Sequence, residues 1–274
     1  VRELSHRREH RHPGRYRAVE LTTGVIVIDL QAAGAVRVLT LSSGAVNALD
    51  VELLQELAGA LRGLRDSGAP ALVVTGAGRV FSAGVDLNRV VDGPAGYTDR
   101  LVPAISKAIE ALFGYPGPTV AAINGAAIAG GCVLACACDR RLMSPQARIG
   151  ASEVRVGVPF PVAALEIMRY ACGDHAEDVL LGGRVYQGAE ATANGLVHRV
   201  VTDDLLGAAV AEAADLGGIP VDAYRHTKAQ LRAPALARMR EGDSVDAEGR
   251  RLWAADETRR GIAAFLEGLR RRDG

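Results

Sequence analysis

Glu153 stands 22 residues beyond a glycine pair, Gly130-Gly131, and the chemistry of the chain is sought first between these two points. The glycine pair opens a helix-forming run, Cys132 to Cys138, that closes at Asp139. The first N–H groups of a helix have no partner within it and lie at its positive end. A glycine there lets a ligand come close to the backbone. The stretch from Asn124 to Glu153 is therefore suited to hold a negative charge, with one acid, Glu153, near enough to act on what carries it. Asp139, at the end of the helix, reads as a structural carboxylate.

The elements that must position these residues alternate between strand and helix. Val25–Ile28 and Val36–Leu41 are expected to pair as strands across a turn at Ala32-Ala33-Gly34. Asp50 is placed to cap a helix whose apolar face is Leu53, Leu54, Leu57, Leu61 and Leu64. Ala71–Thr75 and Thr119–Ile123 are short continuous apolar runs, as expected of strands buried on both faces. Tyr97–Phe113, Val162–Cys172 and His175–Leu181 read as helices, and Val197–Val201 as a strand. From Leu205 onward the pattern is helical, through Leu205–Leu216, Ala223–Leu231 and Thr258–Arg271. Strands alternating with helices and then a helical third predict an α/β core with a helical appendage. Gly76-Ala-Gly78 after a strand invites a dinucleotide reading, but Phe81 holds the place of the third glycine and no helix starts there.

Composition narrows the field. The chain has 274 residues, 49% of them hydrophobic and only 4% aromatic, so small aliphatic side chains must fill the core. A formal net charge of zero argues against nucleic-acid and membrane-surface partners. No apolar run approaches the roughly 18–20 residues that cross a bilayer. The basic residues of the first 18 positions predict a disordered tail, with no apolar segment of a secretory signal, and a cytoplasmic protein is expected. Cys132, Cys136, Cys138 and Cys172 lack the Cys-x-x-Cys or Cys/His spacing of a metal site and read as buried thiols.

Three segments carry a resemblance to a known family. Phe81-Ser-Ala-Gly-Val-Asp-Leu87, Asn124-Gly-Ala-Ala-Ile-Ala-Gly-Gly-Cys132 and Ser152-Glu-Val-Arg-Val-Gly157 with Pro159 resemble the signatures of the crotonase, or enoyl-CoA hydratase/isomerase, superfamily. Asn47-Ala-Leu-Asp50 and Gly261–Leu266 are also similar. The resemblance runs from about residue 19 to the end. It implies a spiral of ββα units over residues 19–204 and a C-terminal helical region, 205–274, that builds trimers, often paired into hexamers. It implies an acyl-CoA thioester as substrate, with no cofactor beyond the CoA that the substrate carries. The backbone N–H groups of Val85 and Gly130 would form an oxyanion hole for the thioester enolate. Ala83, Asp86 and Leu87 would lie along the CoA, although Asp86 equally fits a turn-capping role.

Two departures from the family pattern bear on the reaction. A hydratase holds water between two glutamates; the second matches Glu153, but the first falls on Val133. The glycine-rich run expected after the third motif is replaced by Pro159-Phe-Pro-Val-Ala-Ala164. A lone carboxylate suits Δ3,Δ2-enoyl-CoA isomerisation, in which one base takes a proton from C2 and returns it at C4. An apolar Val133 would raise the Glu153 pKa by desolvation. Other readings stay open: a salt bridge from Arg155 that ties Glu153 up, a hydratase or other lyase using Glu166 or Asp174 as second acid, and a protein that binds acyl-CoA without turnover.

Overall fold

A computed structural model describes residues 27–273, except for the side chains of 243, 244, 272 and 273. The basic N-terminal segment, and with it the readings of a tail and of a missing signal, lies outside the described residues. The chain begins with a hairpin, β1 (Ile28–Ala33) and β2 (Val36–Leu41), then α1 (Val51–Asp66). Next come β3 (Leu72–Gly76), β4 (Val80–Ser82), α2 (Leu87–Asp92) and α3 (Tyr97–Phe113). A second unit is β5 (Thr119–Ile123), β6 (Ala126–Ile128) and α4 (Gly130–Cys136). A third is β7 (Arg140–Met143), β8 (Ile149–Gly150), a 3₁₀ turn at Glu153–Val156 and α5 (Val162–Cys172). The chain continues through α6 (Ala176–Gly182), α7 (Gly188–Ala193) and β9 (Arg199–Val200) to α8 (Leu205–Gly217), α9 (Val221–Glu241), α10 (Asp243–Ala254) and α11 (Asp256–Asp273).

Each ββα unit sends one strand to each of two sheets. The larger sheet has the order β1-β2-β3-β5-β7-β9 and the smaller the order β4-β6-β8. All pairs are parallel except the opening hairpin, in which Ile28 faces Leu41 and Ala33 faces Val36. β3 and β5 are buried at every position, which is why they read as unbroken apolar runs. Of the expected strand Val25–Ile28, residues 25 and 26 lie outside the described residues, and the described strand starts at its last residue, Ile28, and runs on to Ala33. The positions after Ile28 alternate through Asp29 and Gln31 on an edge strand, and the turn falls at Gly34, with φ 63°.

The Asp50 carboxylate accepts the N–H of Leu53 at 2.8 Å, so it caps α1 as expected, and the Leu53-to-Leu64 stripe is buried. The larger core lies between the sheet and α1, α3, α4 and α5. On the sheet's other face, α8 packs Ala209 and Ala213 on Val36, Val38, Val73, Val120 and Leu142. Three helices were not legible as such. α2 and α7 have six residues each, and α10 carries little apolar surface. α10 is held by tertiary contacts: the Trp253 indole N–H donates to Pro159 O at 3.0 Å, and Asp246 accepts the N–H of Val162 at 2.8 Å. α9 runs well past the expected Leu231, through Pro234.

Asp139 ties the C-terminal helices to the core. Its carboxylate meets Lys228 and Arg232 of α9, each at 2.7 Å, the Tyr224 hydroxyl at 3.0 Å and the N–H of Thr119 at 2.8 Å. Burial alone would raise its pKa, but the two cations outweigh that and hold it below the usual value. Asp139→Ala leaves two buried cations without their carboxylate. It is expected to lower unfolding free energy by about 3–5 kcal/mol, read by urea denaturation.

Candidate active site

The first motif is held in place by a buried asparagine. Asn47 adopts φ 50° and is fully buried. Its amide N–H groups donate to Ala77 O at 3.1 Å and Val80 O at 2.8 Å, and its Oδ1 accepts the N–H of Ser43 at 3.1 Å. The Ser82 hydroxyl donates to Asn47 O at 2.7 Å and accepts the N–H of Gly84 at 3.2 Å. Leu49 and Val85 form a parallel bridge through Leu49 N–H to Gly84 O, 2.8 Å, and Asp86 N–H to Leu49 O, 3.1 Å. That bridge leaves the N–H of Val85 pointing the other way, with no acceptor among the described residues.

The second motif meets the first directly. β6 ends at Ile128 and is followed by Ala129, whose N–H donates to Gly150 O at 2.8 Å. Ala129 has φ 51° and ψ −124°, a region that a residue with a Cβ adopts only under strain. The kink turns the chain into α4, whose first N–H, at Gly130, also has no acceptor among the described residues. A Cβ built on Gly84, itself at φ 85°, would stand 3.2 Å from Gly130 N and 2.7 Å from Ile128 O. A Cβ on Gly131 would stand 2.3 Å from Ser82 O. Both glycines are required by this close approach, which brings the unpaired N–H groups of Val85 and Gly130 to neighbouring segments. Sequence reasoning identified the motifs but not Asn47 as their anchor, nor the strain at Ala129.

Glu153 opens the 3₁₀ turn after β8. The residue is half-buried, yet its Oε2 is sealed from solvent and has no hydrogen-bond partner among the described residues. Burial pushes its carboxyl up to about 8. Burial, the Cys136 thiol and, last among the causes, the Glu153 carboxylate raise the pKa of Cys132, in the first turn of α4. The neighbouring Val133 is buried in the core. Arg155 does not pair with Glu153: its Nε donates to Gly182 O at 2.8 Å, at the end of α6. Glu166 is buried and held by Arg238 at 2.6 Å and Arg169 at 3.2 Å. Asp174 is exposed on a separate 3₁₀ turn. Glu166 is therefore not a free second acid.

Asp86 caps α2, its Oδ1 accepting the N–H groups of Asn88 at 3.1 Å and Arg89 at 3.2 Å. Ala83 is exposed beside it and Leu87 is half-buried against the core. The C-terminal helices close over this region from the same chain. α11 packs on α2 and on the Glu153 turn, with Ile262 fully buried. All four cysteines are buried and free. Among the described residues no cluster of His, Cys, Asp and Glu is arranged for a metal ion, and no helix is long and apolar enough to cross a membrane.

Two sheets built by successive ββα units, parallel but for the opening hairpin, with backbone donors unpaired among the described residues where two glycine-rich turns meet, define a crotonase-type enzyme. A family model described as "Enoyl-CoA hydratase/isomerase" matches residues 31–272, and the chain belongs to that family. A putative enoyl-CoA hydratase of Thermus thermophilus is 35% identical over 81% of this chain and 90% of its own length. The structure of human mitochondrial delta3-delta2-enoyl-CoA isomerase is similar with a TM-score of 0.85 at 27% identity, covering 91% of this chain and 100% of that one. An enoyl-CoA isomerase of Mycobacterium tuberculosis matches with a TM-score of 0.74 at 32% identity, over 81% of this chain and 98% of that one.

Proposed function

We propose that the protein moves the double bond of a 3-enoyl-CoA thioester to C2, with Glu153 as the single base. The observation that carries this is the Glu153 carboxyl, whose Oε2 is sealed from solvent and has no hydrogen-bond partner among the described residues, while the position matching a hydratase's other glutamate is the buried Val133. The thioester carbonyl oxygen accepts the N–H groups of Val85 and Gly130. Glu153 removes a proton from C2, and the electron pair forms the enolate, whose charge the two donors stabilise. The resulting carboxylic acid delivers the proton to C4 as the enolate collapses to the 2-enoyl thioester. Burial favours the protonated carboxyl, so the proton is retained between the two steps. Val133 keeps water from the position where a second glutamate would hold it. Ala83, Asp86 and Leu87 border the path of the CoA, which is part of the substrate; the scheme uses no further cofactor. Assembly into trimers or hexamers belongs to the same proposal and is read by sedimentation.

A second reading, hydration of a 2-enoyl-CoA, is favoured by the naming of the Thermus relative as a hydratase. The two separate in one assay, in which the protein is given 3-hexenoyl-CoA and crotonyl-CoA in turn. Migration of the double bond with no 3-hydroxyacyl product is expected. Hydration of crotonyl-CoA at a rate matching or exceeding isomerisation would overturn the isomerase reading. Tight binding with neither product would make the protein an acyl-CoA binder.

A further inference from the structure

The far end of α4 opens on a cleft of about 540 Å³ that the proposed chemistry does not use. Arg140, Arg141, Lys228 and Arg232 line it, against one carboxylate, Asp139. Asp139 is already shared between Lys228 and Arg232. Arg140 reaches outward to Glu212 at 3.6 Å, and Glu212 is shared with Arg199 at 3.3 Å. Arg141 is the telling residue. It is only 5% exposed, and its guanidinium donates to three carbonyls: Leu196 O at 2.9 Å, Cys138 O at 3.1 Å and Gly195 O at 3.1 Å. No carboxylate among the described residues meets it. A buried cation without a counter-charge is costly, and an anion in the cleft relieves that cost.

His198 adds a directed donor. Its Nδ1 accepts the N–H of Arg141 at 3.1 Å, so its Nε2 carries the ring proton. His198 is exposed on one side, but partial desolvation of its ring, with Arg141 and Arg140 nearby, pushes its pKa down to about 4 and keeps the ring neutral. The mouth of the cleft is apolar. Ile219 and Leu231 are exposed there, 41% and 61%, beside the half-exposed ring of Tyr170, which packs edge-on against Phe113. A cationic floor under an apolar rim matches a ligand with an anionic head and a short hydrocarbon part.

We infer that this cleft is a second binding site, taking a small aliphatic carboxylate with its head toward Arg141 and His198 and its chain against Ile219 and Leu231. The site stands on residues apart from Glu153, Val85 and Gly130, so it holds whichever reaction the protein performs. Hexanoate is the probe, titrated by calorimetry at low ionic strength with and without saturating coenzyme A. Saturable binding that coenzyme A does not displace is expected. Thr227→Trp, which fills the cleft mouth from an exposed position, and Arg140→Glu, which reverses a charge on its wall, are each expected to weaken it at least about tenfold. Both variants are expected to keep turnover of the acyl-CoA substrate. Displacement by coenzyme A, undiminished binding in both variants, or no binding at all would overturn the inference. Inorganic phosphate binding as tightly as hexanoate would overturn the role given to the apolar rim. A change in sedimentation of Thr227→Trp with no hexanoate binding by the parent would assign the cleft to a second copy of the chain and overturn the ligand.

Discussion

Glu153→Gln is expected to reduce isomerisation of a 3-enoyl-CoA by about 10²–10⁴-fold, the usual contribution of a positioned general base. Gln keeps the shape and burial of the side chain and removes only the proton acceptor, so KM is expected to change little. In the parent protein kcat/KM is expected to climb with pH and level off above about 8, the value to which burial raises this carboxyl. The same shift sets the sign of a stability effect. The folded-state pKa lies above the ordinary carboxyl value of 4.5, so the fold prefers the protonated form. The penalty for ionising it is absent below about 4.5, grows as pH rises, and is complete above about 8. Glu153→Gln is therefore expected to match the parent's melting temperature at pH 4 and exceed it at pH 9. A melting temperature gap that is independent of pH would mean that Glu153 is solvated or paired in solution.

The second large effect is expected at Gly84. An added Cβ meets Ile128 O at 2.7 Å and crowds Ala129 and Gly130, and φ 85° is itself strained for any other residue. The segment carrying Val85 must then move away from the start of α4, and the two N–H groups no longer converge. Gly84→Ala is expected to lower kcat by about 10²–10³-fold, as for loss of one oxyanion donor, measured at saturating substrate. Gly34→Ala is the matched control. It also has positive φ, 63°, but its Cβ would meet nothing within 4 Å. It is expected to cost about 1–2 kcal/mol of stability and leave kcat unchanged. Equal kcat values for the two variants would separate the site from the contact between the two motifs.

What was legible in the residues depended on how local the cause was. β3 and β5 announced themselves because strands buried on both faces must be apolar throughout. The Leu53-to-Leu64 stripe and the Asp50 cap defined α1 for equally local reasons. α10 was not legible, because its place depends on Trp253 meeting Pro159, 94 residues earlier, and Asp246 meeting the first residue of α5, 84 residues earlier. The start of α4 at Gly130 was legible as a place for an anion from its glycine pair, but Val85 as the second donor came only through a resemblance of motifs. Nothing in the identity of Ala129 signals a positive φ; the kink is imposed by Gly150 and the start of α4. The freedom of Glu153 was likewise hidden. Arg155, two residues on, was the natural partner by spacing, and it turns instead to the last turn of α6. That Glu166 is clamped by two arginines was equally hidden, since Arg238 lies 72 residues further on.

The closing measurement follows the proton itself. 3-Hexenoyl-CoA deuterated at C2 is turned over in ordinary water, and the product is examined for deuterium at C4. A single carboxyl with one oxygen sealed from solvent carries the label across, so a substantial fraction at C4 is expected, together with no 3-hydroxyacyl product. A product with no deuterium at C4 and with a hydroxyl at C3 would contradict it, placing water where Val133 is held here to exclude it.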